Sequence, residues 1–366
     1  MSRREFLVRA CGFGLSAGAA GALLAACGTQ KGAGGGASPT PLDTTKPKKL
    51  VLYNWSDYLS PKLPKEFERQ TGIHVVESYF DDNEALLAKM SAGGTGYDVV
   101  VPTGWMVSIM AKSKLLRPLE MSLIPNFTHT ASMFQKPAYD PGTPKRYSVP
   151  YLWGSTGIAV RTDKVKEQIT SYQSLWDPKY KGQIIMLDGP KDCLCLALLL
   201  LGYSPNSTDM KELQEAKQKL IEQKPLVLKY DPAPLRALET GNPLTEEWDG
   251  DVVRAKHDIG VDKLEYVYPV EGFMVWTDTF AVPKGAPSPY WSHKLIDFML
   301  DPKNAAESSN FTGYQTPSED ALPMIKDPIL KAIRPTAEQM KRAYPYEDLG
   351  TFNRVYTQLW ADIKSA

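Results

Sequence analysis

The chain has 366 residues, 43% of them apolar and 23% charged. That length suggests about two domains of ordinary size, and the composition is close to the globular average, which argues against long disorder. Lys plus Arg number 42 and Asp plus Glu number 42, so the formal charge is +0, and no basic surplus directs the chain toward nucleic acid or an anionic membrane. The 18 Tyr, 11 Phe and 8 Trp are enough to wall a binding cleft as well as fill a core.

In chain order, the first element is an address. Ser2-Arg3-Arg4-Glu5-Phe6-Leu7 precedes a charge-free, Gly/Ala-rich run from Ala10 to Ala26. A charged start followed by a short apolar run reads as a secretion signal over residues 1–26, and the run is too short and too rich in small residues for a membrane span. The paired arginines resemble the twin-arginine export signal. Leu24-Ala25-Ala26-Cys27 resembles the bacterial lipobox, in which cleavage precedes the cysteine and Cys27 carries the lipid. Residues 27–48, rich in Gly, Ala, Ser, Thr, Pro and Lys, cannot bury enough apolar area to offset ordering and read as a flexible tether. Cys193 and Cys195 are two apart in an apolar run, where helical geometry points them to different sides, so no disulfide is expected.

The body begins at Val51–Tyr58, V-L-Y-N-W-S-D-Y, an apolar strand over Leu50–Tyr53 that breaks into Trp55, Ser56, Asp57 and Tyr58. A helix over Lys62–Thr71 stops at Gly72, a second strand spans Ile73–Phe80, and a helix over Asn83–Ala92 turns Leu86, Leu87 and Met90 inward. The nearly all-apolar Tyr97–Pro102 reads as a third strand, covered on both faces and ending at Thr103-Gly104-Trp105. Strands alternating with helices make this an α/β lobe. Tyr147–Arg161 is a long extended stretch. A second α/β pattern follows: a helix near Tyr172–Trp176, a strand Gln183–Leu187, an apolar helix from Pro190 to Leu201, a helix opened by Asp209 and Glu212 as a capping box, a strand Leu226–Tyr230, a short helix near Pro234–Glu239 and a strand Leu264–Pro269. Phe273–Pro283 is a second long extended stretch, and the tail is helical, best at Thr351–Ile363. Two extended stretches bracketing a self-contained α/β region are what a two-lobed protein shows when its chain crosses between lobes and returns. The expected division is 49–152 plus 277–322 for one lobe and 153–276 plus 323–366 for the other.

Catalytic motifs are missing. The His residues at 74, 129, 257 and 293 are scattered without metal-ligand spacing, and there is no P-loop, no G-x-S-x-G and no G-x-G-x-x-G after a strand. Neither a metal nor a cofactor is expected. What recurs is an aromatic with a carboxylate at the ends of elements: Trp55 with Asp57, Trp248 with Asp251, Trp276 with Asp278. Asp192, at the start of the apolar helix, and Tyr314 join them. Spread over both lobes, they point to a cleft between the lobes suited to a ligand that is apolar along its length and cationic at its ends.

From Leu50 to about Ile363 the order of motifs resembles the bacterial polyamine-binding proteins of ABC importers, the spermidine/putrescine receptors. The blocks are Y-N-W-S-D-Y (53–58), Y-D-V-V-V-P (97–102), Y-S-V-P-Y-L-W-G (147–154), E-W-D-G-D (247–251), W-T-D-T-F-A-V-P (276–283) and G-Y-Q-T-P (313–317). The resemblance implies a type II periplasmic-binding-protein fold, with two α/β lobes joined by crossover strands, the ligand cleft between them and a hinge that closes on ligand. It implies an aromatic box of Trp55, Tyr58, Trp105, Trp248, Trp276 and Tyr314, ammonium-binding carboxylates at Asp57, Asp192, Asp251 and Asp278, and polar support from Ser56 and Thr103. It also implies ABC permease subunits as partners and a monomeric, lipid-anchored, extracytoplasmic receptor that is not an enzyme. Asp57 and the Trp248-x-Gly-Asp251 spacing resemble the putrescine-preferring branch. The chain departs from spermidine-type members at Gly189, where they tend to carry an acidic residue, and at Asp192, one methylene shorter than the usual Glu. Trp105 sits where the family varies.

The chemistry is coherent on its own terms. Each –NH₃⁺ head of an alkyl diammonium must be paid for its lost water by a carboxylate and further acceptors, while rings over the methylenes bury apolar area and attract the heads. A same-fold receptor for another organic amine or small solute, a ligand sensor without transport, and a surface enzyme using paired carboxylates remain the alternatives.

Overall fold

The computed structural model describes residues 42–140 and 142–366. The export signal and the lipid-bearing Cys27 lie outside the described residues. Of the expected tether, residues 42–48 are described; they form no helix or strand, and the Thr44 carbonyl accepts the Trp291 indole N–H at 3.1 Å.

In chain order the elements are β1 (Lys49–Asn54), α1 (Lys62–Thr71), β2 (His74–Tyr79), α2 (Asn83–Ser91), β3 (Val99–Val100), α3 (Gly104–Lys112), α4 (Ser132–Gln135), β4 (Ser148–Val160), β5 (Ile184–Leu187), α5 (Pro190–Leu200), α6 (Met210–Gln223), β6 (Val227–Asp231), α7 (Leu235–Thr240), β7 (Leu244–Trp248) and α8 (Asp249–Ile259). The remainder is β8 (Glu265–Val267), β9 (Phe273–Ala281), α9 (Pro289–Leu300), α10 (Pro302–Thr312), α11 (Pro328–Ile333), α12 (Ala337–Met340), β10 (Ala343–Pro345) and α13 (Phe352–Ser365). The main path through the sheet is β2-β1-β3-β9-β4-β7-β5-β6, with β8 on β4 and β10 on β9.

The two extended stretches of the sequence, β4 and β9, meet as the central antiparallel pair. On one side β1 runs parallel to β2 and β3; on the other β5 runs parallel to β6 and β7. A strand with layers on both faces is buried along its whole length, and all 13 residues of β4 are buried, the polar Ser148, Ser155 and Thr156 included. Its pairing with β9 shifts register between Pro150 and Leu152, where Pro150 has no N–H to give to a ladder.

Several elements differ from expectation for identifiable reasons. The third strand shrinks from Tyr97–Pro102 to Val99–Val100, because Pro102 cannot donate and the Asp98 carboxylate takes over the Val51 N–H at 2.8 Å. The Tyr172–Trp176 helix is a single 3-10 turn. Asp209 caps α6 by accepting from the Lys211 and Glu212 amides, but the Glu212 carboxylate turns to the Ser207 hydroxyl instead of closing the box. β7 was not expected, because L-T-E-E-W places adjacent glutamates in a strand whose Glu246 and Glu247 are fully buried. The tail also holds the short strand β10. α13 buries Tyr356, Leu359, Trp360 and Ile363 on one face, as its 3.6-residue periodicity demands.

Cys193 and Cys195 are free and buried in α5. Among the described residues no helix is long and apolar enough to cross a membrane, and no cluster of His, Cys, Asp or Glu is arranged to hold a metal.

Asp98 ties three segments together. It is buried, its Oδ2 accepts from the Val51 amide at 2.8 Å and its Oδ1 from the Ser288 amide at 3.0 Å, just before α9. Replacement by Ala leaves those amides without this acceptor, at a cost of about 1–3 kcal/mol each. Asp98→Ala is expected to lower the urea midpoint by an amount equivalent to about 2–4 kcal/mol; an unchanged midpoint contradicts this role.

Candidate ligand-binding site

The ends of β1, β3 and β9 converge on one carboxylate. Asp278 is 5% exposed and accepts two hydroxyls, the Tyr58 OH at 2.9 Å and the Thr103 OH at 2.6 Å. Thr103 is oriented for this: its amide donates to Asn83 Oδ1, and its Oγ1 accepts from Asn83 Nδ2 at 3.0 Å, leaving its own proton for Asp278. Burial raises the Asp278 carboxyl to about 7, although both hydroxyls favour its charged form. The groups acting on it are these hydroxyls, with no protein cation among them.

Tyr58 links this acid to a second. Its ring meets that of Tyr314 edge-on at 5.6 Å, and the Tyr314 OH donates to Asp251 at 3.1 Å. Trp276 meets the same Tyr314 ring at 5.0 Å and 71°. Trp55 and Trp248 are half-buried against the core cluster that contains Tyr58 and Tyr314. The Trp55 indole N–H is fixed on the Val101 carbonyl at 2.9 Å, with Phe80 against its ring. The Trp276 indole N–H is buried without a protein partner.

Two glycines make this packing feasible. A Cβ on Gly250 would lie 2.2 Å from the Tyr314 ring, and one on Gly154 would lie 2.6 Å from Trp276 and 2.5 Å from Asp249 Oδ1. All three distances are far inside contact range, so a larger residue at either position displaces an aromatic of the cluster.

Asp251 lies in the first turn of α8, where the helix dipole favours an anion. Burial nevertheless raises its pKa and outweighs Arg254, whose guanidinium is 3.8 Å away, and the Tyr314 hydrogen bond; Asp57 adds repulsion. Glu247 and Asp249 lie beside it, both buried. Glu247 Oε1 accepts the Trp248 amide while Oε2 has no partner, and Asp249 Oδ1 accepts the Gly250 amide while Oδ2 has none. Burial raises Asp249 to about 7, and it raises Glu247 well above the usual carboxylate range, with Asp251 adding to the effect. The site therefore gathers buried acids that hold their protons toward neutral pH, and among the described residues Arg254 is the cation that acts on Asp251.

Ser56 and Asp57 are exposed in the turn after β1, with Asp57 at φ 54° in the left-handed region that Asp tolerates better than most residues. Asp192 and Trp105 do not join the group around Tyr314. Asp192 accepts the Tyr346 OH at 2.7 Å, and Trp105 sits in a different core cluster under the Lys191 ammonium. Sequence reasoning missed Tyr151, whose OH holds the Tyr58 carbonyl at 2.8 Å and whose ring meets Tyr58 edge-on, and it missed Tyr346, Lys191 and the buried acids Glu247 and Asp249. Tyr151 lay inside the 147–154 block and the two acids inside the 247–251 block; Tyr346 and Lys191 carried no local signal.

The linkage for Asp278 has a definite sign. A folded-state pKa above the unfolded value means the fold prefers the protonated acid, so this stabilisation is complete below about pH 4 and lost as pH rises through about 7. The shift corresponds to about 4 kcal/mol at most. Asp278→Asn is expected to be close to wild type in stability at pH 4 and more stable at pH 8, as read by thermal melting; parallel pH profiles contradict the assignment.

A family model of bacterial extracellular solute-binding proteins matches residues 62–332. The chain is 32% identical over 328 residues to the spermidine/putrescine-binding periplasmic protein of Escherichia coli, covering 86% of this chain and 91% of that protein. It is 31% identical over 336 residues to the putrescine/cadaverine-binding protein of Pseudomonas aeruginosa, covering 87% and 94%. Among solved structures, the spermidine/putrescine ABC transporter substrate-binding protein PotD of Streptococcus pneumoniae superposes with a TM-score of 0.76 at 32% identity, covering 87% of this chain and 99% of that one. With its mixed sheet, its central antiparallel pair and these relatives, the chain belongs to the bacterial extracellular solute-binding proteins.

Proposed function

We propose that this protein captures a polyamine of the putrescine or spermidine type outside the cytoplasm and delivers it to the permease subunits of an ABC importer. The observation that carries the reading is Asp278: a buried carboxylate held by two oriented hydroxyls, without a protein cation, beside a cluster of Trp and Tyr rings. A primary ammonium fits that environment. It supplies the missing charge, and its methylenes lie against rings that attract cations. Asp251, at the far end of the Tyr58–Tyr314 pair, suits a second head. The names of the related proteins in E. coli and P. aeruginosa support the same ligand class.

In this reading residues 49–152 with 277–322 and residues 153–276 with 323–366 are two lobes that close about β4 and β9. Closure is a population shift, because only the closed arrangement sets Tyr58, Asp278 and Tyr314 of one lobe against Asp251 of the other. Ser56, Asp57 and Trp248 complete the walls. Export by the N-terminal signal and lipidation at Cys27 place a monomeric receptor at the membrane surface, and it binds its ligand without transforming it.

Calorimetry with putrescine, spermidine and spermine, and with neutral amino acids and sugars, tests the ligand class; heat from the polyamines alone is expected, and no heat from any polyamine contradicts it. Trp248→Ala is expected to weaken binding at least tenfold with an unchanged circular dichroism spectrum. Unaltered affinity in that variant removes Trp248 from the site.

A further inference from the structure

Lys191 is a lysine in an unusual place. It is the second residue of α5, only 8% exposed, and its ammonium donates to the Glu347 carbonyl at 2.8 Å. The same nitrogen stands 4.9 Å from the centre of the Trp105 ring and 5.6 Å from that of Tyr356. Burial works against its charge, while Asp348, Glu84 and Asp192 act to keep it. The segment that holds it is itself fixed, since Asp348 pairs with Lys112 of α3 at 2.6 Å. A buried lysine so pinned has little freedom to swing aside.

Its surroundings are those described above for a ligand head: an aromatic face and a nearby carboxylate. Asp192 is folded over Gly189, where an added Cβ would lie 2.0 Å from its Oδ2, and its other oxygen accepts the Tyr346 OH. That tyrosine also reaches the Thr156 hydroxyl at 3.4 Å, on the β4 residue paired with Trp248. Trp105 is two residues from Thr103, which holds Asp278. Trp55 and Trp276 pack against the core cluster that contains Trp105, so Trp105 and Asp192 border the aromatic site without touching Tyr314, and the Lys191 charge acts on both.

We propose that Lys191 is a specificity-determining residue: its fixed ammonium takes the Trp105 face beside Asp192, leaving Asp278 and Asp251 for two ligand heads and turning away a third. This rests on the polyamine reading of the site. A diamine uses Asp278 and Asp251 for its two heads. The third ammonium of a triamine is left with Asp192 and Trp105, where it meets the like charge of Lys191 at short range and low dielectric. Removing that charge while keeping the stem opens a third position.

The test is calorimetric titration of the full chain with putrescine and spermidine, comparing wild type with Lys191→Met and Lys191→Arg, each checked for its fold by circular dichroism. Wild type is expected to prefer the diamine, Lys191→Met to shift the ratio of affinities at least tenfold toward the triamine, and Lys191→Arg to keep the wild-type preference. Lys191→Gln replaces Lys191→Met if the latter does not fold. A wild-type preference for spermidine, or a ratio unchanged when the charge is removed, overturns the role of Lys191 while leaving the polyamine reading intact. Wild type that binds neither amine overturns the polyamine reading itself.

Discussion

The arrangement depends on a buried acid that the protein does not neutralise. Folding normally pairs a carboxylate at the depth of Asp278 with an arginine or lysine, because leaving the charge alone costs several kcal/mol. Here two hydroxyls approach it and, among the described residues, no protein cation does, and the carboxyl responds by holding its proton up to about neutral pH. Asp249 shows the same response, and Asp251 and Glu247 move in the same direction. A protein that collects raised acids around one aromatic cluster has given up stability at neutral pH, and the loss is recovered when a cation binds. Binding and protonation are in this way opposing occupants of the same groups.

The fold places these groups from distant parts of the chain. Tyr58 follows β1, Thr103 precedes α3, Asp251 opens α8, Asp278 and Trp276 lie on β9, and Tyr314 follows α10. The long pair β4–β9 brings them into register, since its strands serve both wings of the sheet. Gly154 and Gly250 then let Trp276 and Tyr314 settle against the backbone.

Much of this was legible in the sequence, for reasons that can be named. Helices α1 and α13 and the extended β4 and β9 carry strong periodicity or long apolar runs, and they lie close to where patterning puts them. The Trp/Asp pairs stood out because, weak singly, they recur three times at the ends of elements in distant parts of the chain. What escaped were features set by tertiary contact alone. β7 was hidden by Glu246 and Glu247, acids that no propensity argument would bury in a central strand. Lys191 and Tyr346 sit in stretches with no motif, and only the folded chain brings them to Trp105 and Asp192. Asp192 and Trp105 were grouped with the other site residues; in the structure Trp105 lies under the Lys191 ammonium and Asp192 accepts the Tyr346 hydroxyl, neither of them touching Tyr314.

The central claim is that raised, uncompensated carboxylates await a ligand cation, and proton release measures it most directly. Calorimetric titration with putrescine near pH 7 in buffers of different ionisation enthalpy reports the protons exchanged on binding. Net release is expected, visible as an apparent enthalpy that changes with the buffer, because an ammonium arriving at Asp278 drives off the proton held there. Binding whose enthalpy is the same in every buffer would contradict the account.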